Sequence, residues 1–297
     1  MKKLLLSTLV FMSLTACGQN HSPTSGTTYD RSGQAIELPE QVSTLMSLAP
    51  SITQVLEDIG ATDKIVATDI WSTGFSELPQ LDMMNPDLEL ILTLAPDLIL
   101  IGFPLDDSVV QMLQGADIAV ALIPTSQSIE DIKADNQFIA DVVGLSEQGA
   151  ALNQMMADQI AQIQALAQTV PEPKTVFFEI SPAPDLFTFG QGTFLQEMLD
   201  LVGAHNIFGS LEGWLPVSDE AVISANPDVI LTNVNFLDDP VTEILNRGGW
   251  EHVTAIENGA VFQVDADFTS QPNHRIIYGL WEMAVAIYPD IFQQETP

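Results

Sequence analysis

Two glutamates, Glu89 and Glu220, occupy the same place in two copies of one short pattern. Each lies seven residues before a Pro-Asp pair that opens a run of aliphatic residues, and the copies are 131 positions apart. In both copies the Glu falls in the predicted first turn of a helix, where the positive end of the helix dipole favours a carboxylate. The repeated spacing indicates two similar lobes, each with one carboxylate at the start of a helix.

Two tryptophans are the next candidates for ligand recognition. Trp71 lies in a loop after a predicted strand, and Trp214 lies between Gly213 and Pro216, directly before the second copy of the pattern. An indole ring can pack on the face of a flat ligand, or it can anchor a loop in the core. Both interpretations stay open for each Trp.

The sequence argues against an enzyme. It contains a single Cys, and it has neither a Gly-x-Ser-x-Gly nucleophile elbow nor a phosphate-binding loop. The lone Gly-x-Gly at residues 190–192 lacks the third glycine of a dinucleotide fingerprint. With 40 Asp and Glu residues, carboxylate pairs that resemble those of glycosidases occur anywhere and carry no information. An extracellular hydrolase is therefore the less favoured alternative.

The charge and the histidines exclude two further classes. The formal net charge is −32, which repels nucleic acid. A site for bare zinc or manganese would need several His and carboxylate ligands that converge from both lobes. The histidines of the expected folded region, His205, His252 and His274, all lie in the second half of the chain. We expect neither a nucleic-acid partner nor a bare-metal site.

The local sequence around each Glu predicts how it is positioned. Asp87 and Ser218 are good N-caps, because their side-chain oxygens accept hydrogen bonds from the first turn. Pro96 and Pro227 end the two short helices, and the aliphatic runs that follow are typical of buried strands in a parallel sheet. Two such units predict an α/β fold of two Rossmann-like lobes with parallel-type sheets and a ligand cleft between them.

The stretch between the two units is typical of long helices. Proline is absent from residues 129–168, and Met155, Met156, Ile160 and Ile163 recur at helical spacing. A soft-metal face is one interpretation of the methionines, but a core stripe under a long helix is favoured. A helix of about 20 residues is about 30 Å long. It can therefore bridge two lobes and limit their closure.

The first residues predict a lipoprotein signal. Two lysines precede an apolar run at residues 4–14 that is too short to span a bilayer, and the run leads to the tetrapeptide LTAC, which ends at Cys17. This tetrapeptide resembles the lipobox of bacterial lipoproteins, which implies cleavage before Cys17 and a lipid on its sulfur. An ordinary secretory signal is the alternative. The polar residues that follow predict a flexible tether.

These signals together divide the chain. We expect a lipoprotein signal peptide at 1–16, a lipidated Cys and flexible tether at 17–40, an N-terminal α/β lobe at 41–145, a bridging helix at 146–170 and a C-terminal α/β lobe at 171–297. The lobes should carry the ligand cleft, and the lipid should be the only contact with the membrane.

Four stretches taken together resemble the iron-chelate and cobalamin class of substrate-binding proteins of ABC importers. They are SLAPS at 47–51 with Gly60, both copies of the repeat, the segment from Gly192 to Trp214, and the segment from Asp265 to Arg275. The similarity spans residues 42–289, and its motifs are specific as a set. It implies a ligand held between the lobes, and docking of Glu89 and Glu220 onto arginines of the permease dimer.

The resemblance also implies candidate ligand contacts. Cobalamin receptors of this class grip the corrin with aromatic side chains of both lobes, and Trp71, Trp214 and Phe268 occupy matching or nearby positions. Arg275 would suit a ligand carboxylate through its planar guanidinium. A salt bridge to a protein carboxylate is the alternative for Arg275.

The resemblance leaves the ligand open. Haem receptors of Gram-positive bacteria place an axial methionine where Met84 stands, but Asn235 replaces their second axial ligand, a His. This departure places haem third. A ferric siderophore is placed slightly ahead of cobalamin or another corrinoid, because the class as a whole is broad and no residue fixes a corrin. The expected protein is a monomeric, lipid-anchored extracytoplasmic receptor that hands a metal chelate to an ABC permease and whose only covalent group is the lipid on Cys17.

Overall fold

The computed structural model describes residues 28–293, so the segment 1–16 and Cys17 lie outside the described residues. The N-terminal lobe contains a five-stranded parallel sheet of order β5-β4-β3-β6-β7. The strands of this lobe are β1 (Thr28–Tyr29), β2 (Ala35–Ile36), β3 (Leu45–Leu48), β4 (Ile65–Asp69), β5 (Gln80–Leu81), β6 (Leu98–Ile101) and β7 (Ala119–Leu122).

Helices cover both faces of this sheet. They are α1 (Pro50–Asp58), α2 (Leu88–Leu94), α3 (Asp107–Gln114) and α4 (Ile129–Val142), with a short 3-10 helix at Thr62–Lys64. Successive residues of a strand point to opposite faces. Leu45 and Leu98 therefore enter one core, whereas Met46 and Ile99 enter another on the other side of the sheet. This double burial explains why the strands read as continuous aliphatic runs.

The C-terminal lobe follows a long helix, α5 (Ser146–Ala167). Its parallel sheet has the order β10-β8-β12-β13, and β9 pairs antiparallel with β11 beside it. The strands are β8 (Thr175–Glu179), β9 (Phe187–Phe189), β10 (His205–Asn206), β11 (Trp214–Pro216), β12 (Val229–Thr232) and β13 (Val261–Gln263). The helices are α6 (Phe194–Leu201), α7 (Asp219–Ala225), α8 (Pro240–Leu245), α9 (Thr254–Glu257), α10 (Ala266–Thr269) and α11 (Ile276–Ile287). The predicted fold class, two parallel-sheet α/β lobes, is confirmed.

The repeat seen in the sequence is a repeat of structure. Helices α2 and α7 begin and end 131 positions apart, as do strands β6 and β12. The side chains of Asp87 and Ser218 cap the two helices, as their residue types predict. Each helix ends in a left-handed residue, Ala95 in one lobe and Asn226 in the other, so both chains turn into the following strand in the same way.

The Asp of each Pro-Asp pair ties that strand to its neighbour. Asp97 Oδ2 accepts hydrogen bonds from the backbone N–H groups of Ser43 and Thr44 at 2.8 and 2.9 Å. Asp228 Oδ2 accepts from the backbone N–H and the hydroxyl of Thr175, both at 2.8 Å. The Thr44 backbone bond is the main reason that the pKa of Asp97 is lowered. The Pro-Asp motif therefore fixes the start of the neighbouring strand in each lobe.

The long helix α5 packs against both lobes. Leu152 contacts the core of the N-terminal lobe, whereas Met156 and Ile163 are fully buried in the core of the C-terminal lobe. Near its middle, Gln159 accepts a hydrogen bond from the indole of Trp281 in α11 at 3.0 Å. The methionines of this helix thus form part of a core stripe, the favoured interpretation of their spacing.

One part of the predicted tether is ordered. Strands β1 and β2 pair as a hairpin, and Ile36 is buried in the N-terminal core. Asp30 Oδ2 accepts a hydrogen bond from the backbone of Leu122 at 3.0 Å, which attaches the hairpin to β7. The prediction of a flexible tether as far as residue 40 is therefore wrong for this hairpin, because a contact to a distant strand stabilises a short polar segment.

The Gly-x-Gly at 190–192 has a structural explanation. A Cβ atom on Gly190 would lie 2.0 Å from the carbonyl oxygen of Leu211. Only glycine allows this close approach of two backbone segments. Within residues 28–293, no helix combines the length and the apolar character needed to cross a bilayer.

Candidate functional site

Loops at the carboxyl ends of the parallel strands line a cavity between the lobes. The cavity has a volume of about 240 Å³. On the N-terminal side it is lined by residues that follow β3, β6 and β7, among them Ala49, Gly102 and Ile123, and on the C-terminal side by residues 270–273. Ligand sites for drug-sized molecules span about 300–1,000 Å³. A large chelate would therefore also occupy the mouth outside this cavity.

Two aromatic side chains of the N-terminal lobe lie at this edge. Trp71 follows β4 and is 67% exposed, and Phe103 follows β6 and is 42% exposed. Phe103 lines the 240 Å³ cavity. Trp71 lines a smaller adjoining cavity, whose other wall includes Gln271 and Arg275 of the C-terminal lobe. Both rings are therefore accessible at the edge of the sheet that carries the cavity.

The C-terminal lobe presents aromatic side chains as well. Trp214 is 38% exposed and packs on Phe189 and Phe194, with ring centroids 6.1 and 6.0 Å away. Phe194 is the first residue of α6, and this helix leads into β10, a strand of the parallel sheet. The start of α6, and with it the Trp214 ring, therefore lies near the carboxyl edge of that sheet. Phe236 is 68% exposed and lies four residues after the end of β12. Both lobes thus place exposed rings at the carboxyl edges of their sheets.

Of the four exposed rings, Trp71 and Trp214 are candidates from the sequence, whereas Phe103 and Phe236 emerge only from the structure. A signal for the two phenylalanines exists, because each follows the strand that the Pro-Asp motif opens in its lobe. Aromatic residues after a repeated strand are candidates for a shared site, since carboxyl ends of parallel strands gather at one edge.

Met84 and Phe268, two predicted ligand contacts, do not line the 240 Å³ cavity. Met84 is 67% exposed, and its neighbour Met83, rather than Met84 itself, lines the 240 Å³ cavity. Phe268 is half-buried and packs on Tyr278 of α11 with ring centroids 5.1 Å apart. Packing against its own lobe is therefore the observed role of Phe268, and ligand contact by either residue stays a prediction.

Arg275 joins the two lobes through an ion pair. Its Nε donates to Asp58 Oδ2 at 2.8 Å, and its Nη2 donates to Asp58 Oδ1 at 3.0 Å and to Glu57 Oε2 at 2.6 Å. Both acids lie at the end of α1 in the N-terminal lobe. The guanidinium thus contacts protein carboxylates, the alternative considered for it. A ligand carboxylate would have to compete with Asp58 and Glu57.

Two neighbours of Arg275 add to this contact. Nε2 of the buried His274 lies 2.5 Å from Asp58 Oδ2, and Asn273 Nδ2 donates to the side-chain oxygen of Gln54. Burial raises the pKa of Asp58, but the hydrogen bonds from His274 and Arg275 outweigh it and hold that pKa well below its usual range. Residues 273–275 therefore form a polar clamp on α1, which we name the interlobe clamp.

Glu89 and Glu220 lie at equivalent positions of the two lobes. Both are exposed in the first turn of α2 and of α7. Each helix precedes a strand of a parallel sheet, so its N-terminus lies at the carboxyl edge of that sheet, the edge that carries the cleft. The pKa of Glu220 is lowered, mainly because its carboxylate accepts a hydrogen bond from its own backbone N–H. The two carboxylates are therefore on the cleft side of their lobes.

The histidines that the structure describes do not gather into a metal centre. Within residues 28–293, no group of three or more His, Cys, Asp or Glu side chains is arranged to hold a metal ion. His252 is exposed and lies near Glu257, whereas His274 belongs to the interlobe clamp. Asn235 is exposed beside the carboxylates of Asp265 and Asp267.

Comparisons with known proteins agree with this architecture. Residues 45–268 match the family model described as periplasmic binding protein. A protein of Bacillus subtilis (strain 168), named uncharacterized ABC transporter substrate-binding lipoprotein YvrC, is 30% identical over 273 residues, which cover 89% of this chain and 86% of that protein. The cobalamin-binding protein of Halobacterium salinarum is 26% identical over 275 residues, covering 87% of this chain and 73% of that protein.

A solved structure is similar over the same region. The crystal structure of a possible iron-binding (periplasmic solute-binding) protein from Staphylococcus epidermidis superposes with a TM-score of 0.73 at 27% identity, covering 84% of this chain and all of that chain. The family model, the relatives and the solved structure therefore agree over most of the chain. The chain belongs to the periplasmic binding protein family, and its relatives are substrate-binding proteins of ABC transporters rather than enzymes.

Proposed function

We propose that this protein captures a metal chelate, either a ferric siderophore or a cobalamin-type corrinoid, and delivers it to the permease of an ABC importer. The observation that carries the proposal is the set of exposed aromatic rings at the cleft edge of both lobes, Trp71, Phe103, Trp214 and Phe236. Such rings bury a large apolar area against a flat or bulky ligand and add specific stacking geometry. Small ions offer no surface for them.

The relatives support both ligand classes. One is named a cobalamin-binding protein, and the solved structure from Staphylococcus epidermidis is described as possibly iron-binding. Haem is a weaker candidate. Met84 lies outside the lining of the cavity, and Asn235 stands where the family resemblance expects a His ligand.

The proposed contact with the permease involves Glu89 and Glu220. The support is their identical position in α2 and α7, their exposure, and their place on the cleft side of each lobe. A pair of carboxylates on either side of a cleft can bind two symmetry-related cationic groups of a dimer, one per lobe. Charge pairs at such a rim mainly fix orientation and speed association.

We further propose that the mature protein is anchored to the outer face of the cell membrane by a lipid on Cys17. The support is the LTAC tetrapeptide and the lipoprotein named among the relatives. Cys17 itself lies outside the described residues. Mass spectrometry of the protein extracted from membranes tests this step, because diacylglyceryl modification adds a defined mass to a peptide that begins at Cys17.

A fluorescence titration of the purified protein tests the chelate proposal. Of the four tryptophans, Trp71 and Trp214 are exposed at the cleft edge, whereas Trp250 and Trp281 are buried. Cyanocobalamin, ferric hydroxamates, ferric catecholates and haemin are added in turn. We expect saturable quenching by one chelate class, and a smaller quench in the variant Trp71→Phe.

Two results would contradict the proposal. One is that no chelate quenches the fluorescence saturably and none releases or absorbs heat of binding in isothermal titration calorimetry. The other is release of a chemically altered product, which would indicate an enzyme. Stoichiometric binding with the chelate recovered unchanged is the expected outcome.

A further inference from the structure

The two copies of the repeated unit differ in chemistry directly before the glutamate that each presents. This position is Leu88 in the N-terminal lobe and Asp219 in the C-terminal lobe, and both side chains are half-buried. Leu88 packs against the core on one face of its sheet. A carboxylate gains nothing from such a contact, because apolar surroundings remove its hydration. The start of α7 therefore depends on polar contacts, whereas the start of α2 is held by apolar packing.

A buried tryptophan provides the polar contact. Trp250 Nε1 donates a hydrogen bond to Asp219 Oδ1 at 2.8 Å, and the Trp250 side chain is fully buried. The indole packs on Phe177 of β8 with ring centroids 6.1 Å apart, in the core that also contains Val222 of α7. An indole N–H only donates, and a buried donor without an acceptor costs free energy. The bond thus satisfies Trp250 and fixes the first residue of α7 against the core.

An ion pair holds this tryptophan in place. The guanidinium of Arg247 lies over the Trp250 ring, 4.6 Å from its centroid, and donates to both oxygens of Glu179 at 2.6 and 3.3 Å. Glu179 is the last residue of β8 and is fully buried. A planar guanidinium that is bidentate to a buried carboxylate has little freedom to move. The indole is therefore fixed relative to the parallel sheet.

The carboxylate of Glu220 follows the backbone at the start of α7. The hydrogen bonds that lower its pKa come first from its own backbone N–H and then from the side chain of Ser218, the N-cap residue. Glu220 is exposed, so packing of its own side chain does not fix its place. A displacement of Asp219 would therefore move the Glu220 carboxylate with it.

We infer that Asp219 is a positioning residue for permease docking: its hydrogen bond to Trp250 fixes the start of α7, and thereby Glu220, relative to the C-terminal sheet. This inference rests on the proposed docking of Glu220 and adds the contact that sets the place of its carboxylate. The same sheet carries the C-terminal side of the cleft at its carboxyl edge. The docking carboxylate is therefore held in a fixed position relative to the cleft.

Two substitutions at Asp219 separate the hydrogen bond from the charge. Asp219→Asn and Asp219→Ala both remove the negative charge, but the amide oxygen of Asn can still accept the bond from Trp250. Affinity for the cognate permease in nanodiscs is measured by surface plasmon resonance, without chelate and with excess cyanocobalamin or ferrioxamine B. We expect Asp219→Ala to bind the permease about three- to tenfold more weakly than Asp219→Asn. The effect is bounded, because one hydrogen bond shifts the position of the helix start by no more than its own free energy.

Thr254→Val is the matched control at the other end of α7. Asn226 follows this helix, and its Nδ2 donates to Thr254 Oγ1 at 2.9 Å. Valine removes that acceptor and leaves the start of the helix intact. We expect Asp219→Ala and Thr254→Val to lower the melting temperature by a similar amount, about 2–4 °C. Affinity for the permease should fall only in Asp219→Ala, and chelate affinity should fall in neither.

Glu220→Ala separates a failure of this inference from a failure of docking. If Glu220→Ala weakens permease binding but the two Asp219 variants bind equally well, the positioning role is wrong and the docking of Glu220 stands. The same holds if Thr254→Val weakens binding as much as Asp219→Ala, since that result indicates a general loss of stability. If Glu220→Ala binds as the wild type does, or the wild type does not bind, the proposed docking fails and the inference with it.

Discussion

Arg275 in the C-terminal lobe and Asp58 in the N-terminal lobe form a two-point contact across the cleft, with nitrogen–oxygen distances of 2.8 and 3.0 Å. They are 217 positions apart in sequence. His274 approaches the same carboxylate from the buried side. This contact and the bridging helix α5 are two independent links between the lobes, so the cleft is held by a polar clamp as well as by covalent continuity.

The clamp should make stability depend on pH in the acid range. Because the folded-state pKa of Asp58 is lowered, its contribution is present above the ordinary carboxyl pKa of about 4 and is lost as the pH falls further. The variant Asp58→Asn should be less stable at pH 7 by about 1–2 kcal/mol and should lose less stability between about pH 5 and pH 3.

Thermal unfolding at several pH values measures this effect. Asp63→Asn, a change at an exposed carboxyl of the same lobe, serves as the control. Parallel curves of melting temperature against pH for wild type and Asp58→Asn would show that the clamp carries no such dependence.

The Pro-Asp motif should act on stability in both lobes equally. Asp97→Ala and Asp228→Ala each remove hydrogen bonds to the start of the neighbouring strand. Each should lower the free energy of unfolding by about 1–3 kcal/mol, which corresponds to a fall in melting temperature of about 2–10 °C. Denaturation followed by circular dichroism tests this prediction. Unchanged stability with lost chelate binding would instead place these acids in ligand recognition.

A buried ion pair should be important to the C-terminal lobe. Glu179, at the end of β8, is fully buried and contacts Arg247, whose side chain is 6% exposed and lies 4.6 Å from the centroid of the Trp250 ring. Glu179→Ala leaves Arg247 buried with Glu243 alone, so we expect a loss of about 3 kcal/mol or more. The double change Glu179→Leu with Arg247→Met should cost less than Glu179→Ala, because it leaves no buried charge unpaired. Equal costs would show that packing, and not charge, decides stability there.

Trp71 should contribute to affinity and not to stability. Its side chain is 67% exposed. Trp71→Ala should therefore leave the melting temperature within about 1 °C while weakening chelate binding about tenfold. Tyr29→Ala removes an equally exposed ring, which lies on the N-terminal hairpin, and should leave affinity unchanged. Isothermal titration calorimetry measures both variants, and an equal loss of affinity in the two would remove Trp71 from the site.

Features set by neighbouring residues were predictable from the sequence, whereas features set by distant residues were not. The caps Asp87 and Ser218 and the stops at Pro96 and Pro227 act within one turn, so the repeated helix–strand unit could be read directly. The hairpin at β1 and β2 could not, because Asp30 contacts Leu122.

The same distinction holds at the cleft. The aromatic character of Trp71 and Trp214 is visible in sequence, and their exposure is a property of the fold. Which acid would pair with Arg275 could not be inferred, since its partners lie on a helix of the other lobe.

Transport by the variant Glu89→Arg with Glu220→Arg, assayed beside its chelate affinity, tests the docking of both lobes most directly. We expect uptake through the cognate permease to fall to background while the affinity of the purified protein stays within about twofold, since both carboxylates are exposed outside the cavity lining. Glu147→Arg with Glu257→Arg, two other first-turn glutamates with the same change in charge, should transport normally. Retained uptake by the Glu89 and Glu220 variant, or an equal loss in the control, would show that the duplicated unit does not dock the lobes onto the permease.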